Sequence, residues 1–266
     1  MAMGRDQGQT GHFRGPRGWI EGIGLASVTL ASCLDLYLKI LLGRARLDRP
    51  AFAASLRQAG LSILPAITLV MASIGLILGH QVDVILRDFD LPVRVILMVT
   101  HALVLELLPV LVGILVAGRA GVALAVRQAT LTATGEMDGL LVSGVHPIQF
   151  TVGPVLLVML LMSFAFVVWG TLVTFVAAGG WLWVMTGVSP ALFIEILAKA
   201  LSIGALVEAL VKPLLFAVLN ALIATVNGTG AGRYPDGIAR SATRTMIGAV
   251  TAILVTDLLY ILFLRV

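Results

Sequence analysis

Long apolar runs, broken at intervals by short polar stretches rich in arginine, dominate this chain. A bilayer core of about 30 Å needs about 20 apolar residues in helical form. Segments 61–86, 91–118, 151–178 and 245–264 meet that length, and 207–227 does so despite Glu208 and Lys212 near its start. With no water available inside hydrocarbon, the backbone must satisfy its own hydrogen bonds, so these runs are predicted to be helices. Pro65, Gly75, Pro109, Gly113, Pro154 and Pro213 lie within them and read as kinks or close-packing points rather than breaks. Residues 193–206 are readable either as the outer end of the fourth span or as a separate interfacial helix.

Residues 19–42 follow another pattern. Glu21, Asp35 and Lys39 interrupt them, Leu30, Leu34, Leu38 and Leu41 recur at helical spacing, and Arg44, Arg46 and Arg49 follow at once. An amphipathic helix lying in the membrane interface fits this better than a spanning one. The predicted organisation is therefore a polar tail over 1–18, an interfacial region over 19–59 and a transmembrane domain over 60–266, all of it α-helical.

Composition agrees with the pattern. Of 266 residues 59% are hydrophobic and only 12% charged, with a mean hydropathy of +1.04. A soluble domain carries about 25% charged residues, so too little polar surface remains here to cover a water-soluble globule. The expected class is an integral membrane protein. The net charge of +4 is spread over loop arginines rather than gathered in a basic domain, so nucleic acid is not an expected partner. Arg44, Arg46, Arg49 and Arg57, then Arg119 and Arg127, then Arg233, Arg240 and Arg244 fall on one side of a five-span arrangement, and 179–192 on the other side has no Lys or Arg. That asymmetry puts the amino terminus in the cytoplasm. The first eighteen residues lack the apolar core and cleavage site of a signal peptide.

Little of the chemistry-bearing inventory points to catalysis. One cysteine, Cys33, rules out an internal disulfide, and His80 with Asp83 supplies too few ligands for a metal. No serine sits in a G-x-S-x-G setting, and no G-x-x-x-x-G-K-[ST] loop is present, so any ATP and Mg would be bound by another chain. Asn227-Gly228-Thr229 has the form of a glycosylation acceptor but falls on the predicted cytoplasmic side.

Glu106, in the second run, is a membrane-embedded carboxylate, and such groups face a bundle interior or a water-filled cavity. A cavity role competes there with plain pairing to His101 or another helix. Glu208 and Lys212 stand at i,i+4, and Asp257 is within reach of an interhelical contact with Lys212, an arrangement read as architectural. A proton relay through Glu106, His101 and Asp257 has no spacing to support it. Between the second and third runs, Glu136, Asp138, Leu140, Leu141 and Val145 suit a short helix, with Gly144 to end it and His146-Pro147 to turn the chain back. Such a segment, about 134–147, suits mechanical coupling to a partner; a plain amphipathic connector is the competing reading.

Three ordered blocks give the chain a resemblance. Leu105-Glu106-Leu107-Leu108-Pro109 with Ala117-Gly118-Arg119-Ala120-Gly121 is similar to an E-L-x-P and A-G-R-x-G run. Glu136-Met137-Asp138 through Gly144-Val145-His146-Pro147 is the second block. The third is Val211-Lys212-Pro213, Phe216, Asn227-Gly228 and Gly237 through Thr245. In this the chain resembles the MlaE/YrbE family, permease subunits of ABC transporters that move phospholipid together with MCE-domain proteins. Departures are Leu105 where a basic residue is usual, Leu108 before the proline, Gly135, and His146 in place of Asp. The resemblance implies a homodimeric permease in a bacterial inner membrane, a cytoplasmic ATPase dimer docked on the 136–146 coupling helix, and a periplasmic MCE-domain partner. It also implies a lipid cavity at Glu106, with Leu103, Leu107, Leu78 and Ile74 as apolar wall candidates. Lys212, Asp257, Arg119, Arg240 and Arg244 are expected to be structural charges. The alternative class is a proton-coupled secondary transporter using Glu106 and Asp257.

Overall fold

The computed structural model describes residues 16–44, 49–89, 106–200, 202–232 and 235–264. Eleven α-helices are seen among them: α1 (Pro16–Leu41), α2 (Arg49–Ser55), α3 (Leu64–Phe89), α4 (Leu108–Val116), α5 (Val122–Thr134), α6 (Glu136–Val142), α7 (Pro147–Thr151), α8 (Gly153–Thr186), α9 (Pro190–Ala200), α10 (Ile203–Thr229) and α11 (Pro235–Leu264). The protein is an all-α integral membrane protein. Among the described residues, six stretches are long and apolar enough to cross a bilayer: Ile20–Leu41, Arg49–Ile85, Leu108–Thr134, Gly153–Thr186, Leu206–Thr229 and Pro235–Phe263.

Several bounds differ from the sequence expectation. The second run does not end at 118. One wide turn of π-helix, Ala117–Gly121, joins α4 to α5, and the helix runs on to Thr134. Arg119 is exposed within this continuous helical run and does not mark a helix end. The third run extends from 178 to Thr186, since Ala177 through Met185 contains no polar residue to stop it, and Gly187 closes it in a left-handed conformation. Residues 190–200 form a separate helix, α9, and α11 begins ten residues before the predicted 245.

Between transmembrane helices, lipid tails are as apolar as leucine, so helix pairing depends on close contact more than on water exclusion. The α3–α8 pair shows how. The two run parallel, and Gly75 and Gly79 press on the α8 backbone: a Cβ at Gly79 would lie 2.9 Å from Ala178 O, and one at Gly75 would strike Thr174 O. Two bonds cross the same seam, Trp169 Nε1 to Thr68 Oγ1 at 3.0 Å and Thr174 Oγ1 to Met71 O at 3.2 Å. On α10, the stripe Lys212, Phe216, Asn220 and Gly228 faces the second span at intervals that are multiples of four. Phe216 fills the space at Gly113, Asn220 Nδ2 donates to Gly113 O at 3.2 Å, and Gly228 sits against Gln128 and Ala125. α11 returns antiparallel, placing Ile253 by Gly113 and Thr245 by Gly121.

These contacts define two ends of the bundle. Gln128, Thr151 and Gly228 meet at the proximal end, where Gln128 Nε2 donates to Thr151 Oγ1 at 2.7 Å. At the distal end α9 folds back on α8, with Phe193 against Gly179, and Val82, Leu182 and Ile196 complete a small apolar cluster. His80 meets the edge of Trp181 there, ring centroids 5.4 Å apart. Outside the pair, α9 carries an exposed Lys199–Glu195 contact of 2.6 Å, and the ammonium beside it holds the Glu195 carboxyl below its usual range.

Candidate functional site

Four side chains from three helical segments converge in the distal half of the bundle. Lys212 Nζ lies 2.9 Å from Glu106 Oε2, 3.0 Å from Asp257 Oδ1 and 3.7 Å from Glu208 Oε1. It also stands 4.6 Å from the centroid of the Tyr260 ring, within cation–π range. Its ammonium occupies the point on which the three carboxylates converge. Lys212 is 2% exposed, whereas Glu106 keeps 24% of its side-chain surface open, so the cluster has one uncovered side.

Local sequence explains each position. Glu208 and Lys212 are one turn apart on α10, which aligns them on one face. Asp257 and Tyr260 are three apart on α11 and point toward the same helix. Glu106 lies two residues before α4, in π-helical backbone that runs into it, so its side chain is carried on the second span. The expected Lys212–Asp257 contact and the Glu208–Lys212 pair are therefore present. The Glu106 partner is Lys212, which the sequence reading had not paired with it. Leu103, Leu105 and His101 lie outside the described residues, so the wall role of Leu103 and the His101 contact are not placed. Leu107 is exposed, while Ile74 and Leu78 are half-buried against the main core.

The second candidate region is α6. Gly135, at φ 78°, ends α5 and starts α6 in a single residue, and Gly144, at φ 77°, ends it. Val145 N–H donates to Leu140 O at 2.9 Å and Gly144 N–H to Leu141 O at 3.1 Å, the paired bonds of a Schellman closure. His146 is extended and Pro147 opens α7, as the turn chemistry predicts. Glu136 and Asp138 are exposed in the first turn, with Thr134 Oγ1 donating to Glu136 Oε1 at 3.1 Å. Leu140 is half-buried, but Leu141, Val142, Val145 and His146 are exposed, and Val142 reaches 91%. No residue of α6 is buried. A helix that presents an apolar ridge outward, at an end where α5 and α7 are firmly packed, is shaped as a docking element. Arg119, in the π-helical turn before α5, and Arg240 and Arg244, on α11, are all exposed rather than tied into the core.

Three polar features escaped the sequence reading. Gln128 and Asn220 are fully buried amides in what reads as apolar helix, and Gln149 with Tyr37 binds α1 to the start of α8. A glutamine two residues after Pro147 was the one available cue.

Comparison with known proteins bears on both regions. The family model for permease MlaE matches residues 52–263. The intermembrane phospholipid transport system permease protein MlaE of Haemophilus influenzae is 27% identical over 224 residues, 82% of this chain and 84% of that protein. Probable ABC transporter permease proteins of Rickettsia conorii and Rickettsia typhi are 26% and 24% identical, each over 75% of this chain and 77% of their own length. Because the match runs from α2 nearly to the end of α11, and so takes in both the Lys212 cluster and the exposed α6 ridge, the chain belongs to the MlaE permease family.

Proposed function

We propose that this chain is the transmembrane permease subunit of an ABC transporter that moves phospholipid or a related lipid between a bacterial inner membrane and a periplasmic MCE-domain partner. The chain works as a homodimer, and a separate cytoplasmic ATPase binds the ATP and Mg. The observation that carries this reading is the outward apolar ridge of α6 within a chain of this family. Leu141, Val142 and Val145 dock on the ATPase, and closure of the ATPase dimer displaces α6. No bond of the lipid is made or broken; the lipid moves because the two states of the cavity differ in affinity for it. Glu106, open on one side and held by Lys212 on the other, anchors a headgroup at the mouth of that cavity. Leu107, Ile74 and Leu78 supply apolar wall for the acyl chains.

The proximal end is then cytoplasmic, and α1 lies along its surface. Support comes from where α1 touches the bundle: Gly22 is beside Val226, three residues before the Thr229 end of α10, and Leu36 is against Gly153, the first residue of α8. These contacts are about 21 Å apart along α1, yet both are at one end of the bundle. The helix also has three faces. Thr29, Cys33 and the half-buried Leu36, Tyr37 and Ile40 face the protein; Ile20, Ile23, Leu34, Leu38 and Leu41 are exposed and apolar; Glu21, Asp35 and Lys39 share a third stripe. Protein, hydrocarbon and water on three sides is the environment of an interfacial helix.

Mild-detergent purification from the native membrane, followed by mass spectrometry, tests the reading. An ATPase, an MCE-domain protein and phospholipid are expected in stoichiometric amounts. Recovery of a lone oligomer under conditions that hold complexes together would refute it.

A further inference from the structure

Residues 147–153 lead from α6 into α8, and they are fastened to α1 at several points. Gln149 Nε2 donates to Ser32 O at 3.3 Å and to Asp35 Oδ2 at 3.2 Å. A backbone carbonyl and a carboxylate are both acceptors, so the NH2 end of the amide must face α1, and its orientation is settled by its partners. Lys39 Nζ holds the same Asp35 oxygen from the other side at 2.6 Å. Tyr37 OH donates to Gly153 O at 2.7 Å, and a Cβ at Gly153 would come within 2.6 Å of Leu36 Cδ2. The same short segment is fastened to the second span as well, through Gln128 and Thr151, and Thr151 Oγ1 donates in turn to Pro147 O at 2.8 Å. Between α6 and this doubly held turn lie only residues 143–146, closed by the Gly144 bonds and stiffened by Pro147. Little slack separates α6 from α1.

We propose that Gln149 is a positioning residue that makes α1 travel with the coupling segment, so that displacement of α6 reaches a helix at the membrane surface as well as the spans. This rests on the reading of α6 as the ATPase-engaging helix. The apolar face of α1 lies among acyl chains, so its movement repacks the lipid beside the bundle at each ATP cycle. Lys39 and Asp35 preset the carboxylate that Gln149 grips. Tyr37 fixes the far end of the contact, where α8 begins.

The test uses the complex with its ATPase in nanodiscs, in a Cys33→Ser background with paired spin labels introduced at Leu38 on α1, Val142 on α6 and Val184 on α8, all exposed positions. With a non-hydrolysable ATP analogue, the Leu38–Val184 and Val142–Val184 distances are both expected to change, by on the order of 2 Å or more. In Gln149→Ala the Val142–Val184 change is expected to persist while the Leu38–Val184 change disappears, and lipid moved per ATP is expected to fall by a factor of about five. Gln149→Glu, which sets a second carboxylate against Asp35, is expected to do the same. An α1 shift that survives both substitutions, or that is absent from the unsubstituted complex while α6 moves, overturns the proposal and leaves the permease reading standing. A Val142–Val184 distance indifferent to nucleotide overturns both. Equal losses of transport and thermal stability, with unchanged distances, would make Gln149 merely structural and also refute the idea.

Discussion

Replacing Lys212 by methionine keeps much of the side-chain volume and removes the charge on which three carboxylates converge. Two of those contacts are at hydrogen-bonding distance, 2.9 Å to Glu106 and 3.0 Å to Asp257, while Glu208 at 3.7 Å is beyond it. Removing one partner of a buried ion pair costs about 3–5 kcal/mol, because the charge left behind keeps its desolvation penalty without its counterion. Lys212 is 2% exposed, so solvent screening gives little relief. For a chain of this size each kcal/mol is worth roughly 2–4 °C of melting temperature, which places Lys212→Met about 10 °C below the unsubstituted protein. The assay is thermal unfolding of the detergent-purified protein followed by tryptophan fluorescence. Single neutralisations should rank by contact: Glu106→Gln removes a charged hydrogen bond and should cost about 1.5–3 kcal/mol, Asp257→Asn removes an ion pair at 3.0 Å and should cost no more than that, and Glu208→Gln should cost least. Combining Lys212→Met with all three neutral carboxamides should recover most of the loss, since no buried charge is then left without its counterion. The reasoning fails if Lys212→Met melts within 2 °C of the parent, or if the fully neutral variant is no more stable than Lys212→Met alone.

Three other perturbations follow from the packing and the exposed ridge. Gly75→Ala would drive a methyl into the α8 backbone and should destabilise by about 1–3 kcal/mol, whereas Gly180→Ala, with nothing within 4 Å of its new methyl, should be neutral or stabilising by up to about 1 kcal/mol; melting curves compare them. Thr245 is fully buried and its hydroxyl has no hydrogen-bond partner among the described residues, so Thr245→Val should hold or raise the melting temperature, and a fall of several degrees would show that the hydroxyl is bonded through a buried water. Leu141→Asp with Val142→Asp should abolish ATPase co-purification while leaving the melting temperature within about 2 °C, because both side chains are already exposed in the isolated chain. Affinity pull-down with quantitation of the ATPase decides that case.

What the sequence made legible was local. Gly144 and Pro147 mark the end of α6 through turn chemistry that depends only on neighbours, and the Glu208–Lys212 pair follows from helical spacing. Glu106 and Lys212 are separated by 106 positions, and their meeting depends on which faces of the second span and α10 turn together. That choice is set by Gly113, Phe216 and Gly228 in close contact, and no periodicity in either segment announces it. Arg119 misled for a related reason. An exposed arginine is a fair marker of a membrane boundary, but the helix beyond it is held by the buried Gln128 and by Gly228 pressed against it, so polarity and helix end parted company. The hold of Gln149 on α1 was hidden likewise, since its acceptors are more than 110 residues away in the chain.

α8 has one further consequence. Its 34 residues measure about 51 Å from end to end, against about 30 Å of hydrocarbon. Tilting at the upper limit of about 40° still leaves roughly 39 Å along the bilayer normal. At least about 9 Å of the helix must therefore lie outside the acyl region, shared between its two ends, and the distal end is apolar to its tip: Trp181 through Met185 carry no polar residue, with Trp183, Val184 and Met185 exposed. Indole rings settle at headgroup depth, so the tryptophans moor the helix as it crosses that layer. In the proposed permease, a lipid leaving the bilayer beside the distal end of α8 would keep a greasy wall at its flank from Trp181 to Met185.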